Sequence, residues 1–104
     1  MQKFSNRAVD SVLTLSMDVS ALIPEGATIS GCEVTASVFV GSLTPDPSPS
    51  AILDGAAALV GNIILQRVTG GVVGCTYVVT FKATFSTGDS DEEQALQTVS
   101  LYVP

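Results

Sequence analysis

The chain has 104 residues, 46% of them hydrophobic and only 13% charged, with ten acids against four bases for a net charge of −6. That length suits a single domain over residues 1–104 with one core, and a charged share about half the usual ~25% in so apolar a chain excludes disorder. The cations Lys3, Arg7, Arg67 and Lys82 are too few and too scattered to follow a phosphate backbone or an anionic bilayer, so neither nucleic acid nor membrane is an expected partner.

The first residues, Met1 to Arg7, lack the apolar stretch of a secretion signal, so the chain is expected to act from the cytoplasm. Residues 1–11 read as an N-terminal arm, with Phe4 and Arg7 as candidate protein contacts. Leu13, Leu15, Met17 and Val19 then alternate with Thr14, Ser16, Asp18 and Ser20, the two-residue period of a strand with one buried face. Ile23-Pro24-Glu25-Gly26 breaks that period as a turn. A second alternation sets Cys32, Val34, Ala36, Val38 and Val40 against Glu33, Thr35, Ser37 and Phe39.

Residues 44–50, Thr-Pro-Asp-Pro-Ser-Pro-Ser, carry proline at every second position. Proline cannot donate to a strand ladder, so this is an exposed loop or edge segment, and Pro45, Pro47 and Pro49 are further contact candidates. Ala51 to Ala58 reads as loop or short strand, because Gly55 weakens the helical turn its alanines would allow. Leu59 to Val68 is apolar on both faces and reads as one strand buried on both sides or covered by a partner. Thr69-Gly70-Gly71 is a turn. Tyr77, Val79, Phe81, Ala83 and Phe85 form the clearest alternation, followed by a hairpin turn at Ser86-Thr87-Gly88-Asp89. A last strand is expected from about Gln94 to Val103, with Val99, Leu101 and Val103 on one face.

Short strands punctuated by turns, with no helical period, predict an all-β fold: an immunoglobulin-like antiparallel β-sandwich. Gly70, Gly71 and Gly88 are structural turn residues in this reading. Tyr77 takes the place of a corner tyrosine, whose hydroxyl ties a loop to the sheet.

The chemistry is sparse. There is no histidine, which removes the usual general base and the Ser-His-Asp and Cys-His arrangements, and no phosphate-cradling glycine loop. No catalytic residue, cofactor or metal is expected. Asp89, Asp91 and Glu92 are weak metal candidates; their spacing is not that of a calcium loop. Cys32 and Cys75 are expected to be free thiols.

One resemblance runs through the chain. Met17-Asp18-Val19-Ser20-Ala21-Leu22 precedes Gly26-Ala27-Thr28-Ile29. Gly70-Gly71 leads to Gly74-Cys75-Thr76-Tyr77-Val78-Val79-Thr80, then Ser86-Thr87-Gly88-Asp89-Ser90-Asp91-Glu92, and last Leu101-Tyr102-Val103. This order resembles that of small immunoglobulin-like virion proteins of tailed phages, with aliphatic Val19 where that group carries an aromatic residue. The resemblance implies a non-enzymatic structural protein of the virion, assembled in the host cytoplasm. It would dock in multiple copies, as a homo-oligomer or symmetric assembly, onto other virion proteins of capsid, neck or tail. A fibre–tail or head–tail adaptor is favoured and capsid decoration comes next. The alternative from another class is an adhesion or glycan-binding module, although a chain with no Trp offers few rings to stack on a sugar.

Overall fold

A computed structural model describes residues 2–4 and 6–100. Leu101, Tyr102 and Val103 lie outside the described residues. The strands are β1 (Gln2–Lys3), β2 (Arg7–Ala8), β3 (Val12–Asp18), β4 (Ile29–Val38), β5 (Ala58–Val60), β6 (Ile63–Thr69), β7 (Thr76–Phe85) and β8 (Ser90–Ser100). They form two sheets, one ordered β1-β8-β7-β4 with β2 also on β8, the other ordered β3-β6-β5. Every pairing is antiparallel except those of β1 and β2, which run parallel to β8. The result is an all-β sandwich, as the alternation predicts.

Alternating residues of each strand face the space between the sheets. From β7 these are Tyr77, Val79, Phe81, Ala83 and Phe85; from β3, Leu15 and Met17; from β6, Ile64 and Val68. Fully burying one such aliphatic or aromatic side chain contributes about 1.5–3 kcal/mol. The opposite face of β7 and its neighbours is polar, with Thr76 hydrogen-bonded to Thr98 at 2.8 Å and Gln94 to Thr80 at 3.2 Å. The turns fall where Pro and Gly forecast them: the Ala27 N–H donates to the Pro24 carbonyl at 3.0 Å, and Gly88 sits at φ 92° in the β7–β8 hairpin.

Three segments depart from the sequence reading. Leu59–Val68 is not one strand but the hairpin β5–β6, reversed at Gly61-Asn62. Gly61 adopts φ 61°, the left-handed conformation a two-residue hairpin turn demands. The double apolar character has a simple origin: Ile64 faces the core, whereas Val60 and Ile63 pair on the outer face and stay exposed. The last strand begins at Ser90, four residues earlier than expected, because β8 keeps its ladder with β7 up to the hairpin. Residues 2–4 and 6–8 do not extend from the body as an arm. They lie along β8, with Gln2 opposite Ala95 and Arg7 opposite Val99.

The connection from β4 to β5 closes one flank of the sandwich. A 3-10 turn, Pro49–Ile52, replaces the loop or strand expected there and drives Ile52 wholly into the core. Leu53 then bridges to Val68, and the Asp54 N–H donates to the Arg67 carbonyl at 2.9 Å.

Candidate protein-docking site

The register places the end of β4, the start of β7, the end of β6 and the start of β3 at one end of the sandwich. Val38 is opposite Tyr77, and Val12 is opposite Thr69. Two loops meet there. One runs from Phe39 to Pro49, the other from Gly70 to Cys75.

Tyr77 joins them. Its ring is completely buried, its hydroxyl donates to Asp46 Oδ2 at 2.6 Å, and the same oxygen accepts the Val72 N–H at 2.9 Å. Burial, and after it the bond to Asp46, raises the phenol pKa well above its ordinary value, so Tyr77 stays protonated and keeps donating. Asp46 Oδ1 accepts the Ser48 N–H at 2.8 Å, so one carboxylate fixes both the loop's own turn and its attachment. Gly71 makes the close approach feasible. It sits at φ 96°, and a Cβ there would lie 3.1 Å from Tyr77 Oη and 3.2 Å from Ile52 and Val99 methyl carbons. Gly70 (φ 65°) reverses the chain before it.

Ser42 supplies the second fastening. Its hydroxyl accepts the Thr76 N–H at 3.1 Å and donates to the Thr44 carbonyl at 2.9 Å. The Phe39 N–H extends the β4–β7 ladder to the Thr76 carbonyl at 2.9 Å, and the Ser42 N–H closes a turn onto the Phe39 carbonyl at 2.8 Å. The turn leaves Val40 at 96% and Leu43 at 99% of full exposure. Pro45 and Pro47 are exposed beside them, while Pro49 is half-buried at the start of the 3-10 turn, where a missing N–H costs nothing.

Phe4 and Arg7, contact candidates on sequence grounds, face inward. Phe4 packs edge-on to Phe81 with ring centroids 6.1 Å apart. Arg7 is wholly buried and binds four neutral acceptors: Gln97 Oε1 at 3.2 Å and the carbonyls of Gly70 (2.8 Å), Ser11 (3.3 Å) and Ala8 (3.4 Å). Burial lowers its pKa, partly offset by Tyr77, but a guanidinium remains charged. It therefore fastens β2 to β8 and to the loop that carries Gly71. Nothing in the sequence marks Arg7 as interior; its acceptors are mostly backbone carbonyls, which every sequence has.

At the far end stand Glu25 and the acids of the β7–β8 hairpin. Asp91 and Glu92 are consecutive on β8, so their carboxylates point to opposite faces, and Asp89 accepts the Thr87 hydroxyl at 3.2 Å. No group of three metal-ligating side chains converges among the described residues. Cys75 is buried and Cys32 half-buried, both as free thiols. Cys32 is opposite Ala83, eight positions along β7–loop from Cys75, a separation of roughly 27 Å at the ~3.4 Å rise of a strand and far beyond disulfide reach.

Residues 7–97 match the family model of the podophage GP4 fiber-tail adaptor protein gp77. The chain belongs to this family. It is therefore a structural protein of a tailed-phage virion, and its role is to bind other virion proteins. No curated protein gives a significant match. The gp77 match begins at buried Arg7 and ends at its partner Gln97, so it spans both sheets and both loops of the end described above. None of the described helical turns is long and apolar enough to cross a membrane.

Proposed function

We propose that the protein is a non-enzymatic adaptor that joins fibre to tail, docking in several copies onto neighbouring virion proteins and presenting its Phe39–Pro49 end to one of them. The family match over residues 7–97 carries this reading. The site supports it: exposed aliphatic side chains stand on an end whose polar groups, Asp46, Tyr77 and Ser42, are engaged in the hydrogen bonds that hold its two loops. Single-domain organisation and assembly in the host cytoplasm belong to the same reading.

The test is a phage in which the gene is disrupted. Particles with filled heads and complete tails but no fibres, restored by supplying the protein, are the expected outcome. Normally fibred, infectious particles would overturn the proposal. Quantifying the protein per particle separates an adaptor, at about the order of the tail symmetry, from a capsid decoration protein present at every hexamer or pentamer.

A further inference from the structure

We infer that the turn from Phe39 to Leu43 is a preformed apolar prong, and that Val40 and Leu43 enter an apolar recess on a different virion protein. The inference rests on the adaptor reading above and names the surface that such an adaptor uses.

Isolated exposed aliphatics are ordinary on a protein surface. These two differ in their mounting. They stand almost fully out of the body, yet the backbone between them is held from both sides: Phe39 and Ser42 bond to Thr76, and the Ser42 N–H closes the turn. Gly41 packs so close to the Phe39 ring that a Cβ would come within 2.6 Å of Cε2. Just downstream, Asp46 is tied to Tyr77. A contact loop ordered before it binds loses little further freedom on binding, so its apolar side chains contribute fully to affinity. Residues 39–45 (Phe-Val-Gly-Ser-Leu-Thr-Pro) carry no charge, which fits an apolar recess. Val73, 44% exposed on the adjoining loop, widens the apolar rim.

The occupant is a different virion protein, because a fiber-tail adaptor joins unlike parts. A concavity lined by Asp91, Glu92, Glu93 and Gln94, at the end opposite the prong, is also a poor seat for the prong of a second copy. Seating Val40 and Leu43 there would strip water from carboxylates that gain no partner. A heterologous partner with an apolar recess avoids that cost.

The experiment compares the intact protein, Val40→Asp/Leu43→Asp, and Ala21→Asp/Ala56→Asp, which places the same charge at exposed alanines away from the turn. All three are expected to melt alike and to share one oligomeric state in solution. In phage carrying each gene, wild type and the alanine-site variant are expected in purified particles at equal level, with the prong variant reduced on the order of thirtyfold or more. Incorporation of the prong variant at the wild-type level would overturn the prong and leave the adaptor reading standing. Self-association of the wild type that Val40→Asp/Leu43→Asp abolishes would overturn the choice of occupant. Absence of the wild-type protein from particles would overturn the adaptor reading itself.

Discussion

Tyr77 and Asp46 meet at 2.6 Å although they lie 31 positions apart in the chain, and that one bond couples the start of β7 to the proline-rich loop. Hydroxyl and carboxylate are matched as donor and ionised acceptor, the short and strong kind of hydrogen bond. The loop's position is thereby set by the core and not by its own prolines.

Removing the hydroxyl tests this coupling. Tyr77→Phe leaves the Val72 N–H and an Asp46 oxygen without their partner and is expected to destabilise the protein by about 1–3 kcal/mol. Asp46→Asn and the double variant complete a cycle whose coupling exceeds ~0.5 kcal/mol. Chemical denaturation monitored by circular dichroism reads all three; additivity would show that the bond contributes nothing of its own.

The same bond sets a pH dependence. The folded-state pKa of Tyr77 is raised above the ordinary 10.0. The neutral phenol therefore stabilises the fold fully below about pH 10, and this contribution is lost as pH rises toward the folded pKa, because only the unfolded chain can release the proton early. Stability is expected to fall above about pH 10, with a smaller fall in Tyr77→Phe. Alkaline unfolding curves of the two proteins that coincide after normalisation would contradict it.

Gly71 and Gly88 make a matched pair. Both have φ above +90°, but a Cβ at Gly88 meets nothing within 4 Å, whereas at Gly71 it presses on Tyr77, Ile52 and Val99. Gly88→Ala is expected to cost only the left-handed penalty of about 1–2 kcal/mol. Gly71→Ala adds overpacking and costs about 1–3 kcal/mol more. Equal melting temperatures for the two variants would remove the close approach at Gly71 from the account.

Arg7→Met keeps the apolar stem but abandons four acceptors, and about 2–3 kcal/mol of stability is expected to go with them. Arg7→Lys should rescue little, since one ammonium cannot span the directions that the guanidinium fork serves. Hydrogen exchange at the β1 and β2 ladder with β8 should quicken in both variants. A fully protected ladder in Arg7→Met would mean that β2 holds its place without the buried cation.

Two additions should change nothing. Cys32 and Cys75 are too far apart to pair, so a reductant leaves the melting temperature where it was. Calcium at about 1 mM is likewise expected to have no effect, because Asp91 and Glu92 face opposite ways on β8. A calcium-induced rise in melting temperature would reinstate the acidic loop as a metal site.

Much of the sandwich was determined by sequence alone, for a local reason. A strand puts successive side chains on opposite faces, so Leu15 and Met17 on β3, Val34 on β4 and Tyr77 to Phe85 on β7 announce their buried side wherever the partner strand lies. Pro24-Glu25-Gly26 and Gly88 announce turns equally locally. The Gly61-Asn62 pair between Val60 and Ile63 is a local turn signal as well. Other features were decided only when distant parts of the chain met. Phe4 and Arg7 turn inward because β8 offers a free edge and Gly70 a carbonyl, 63 residues from Arg7. The proline-rich loop is held by Asp46 reaching Tyr77, and no local pattern encodes a bond between partners brought together by the packing of two sheets.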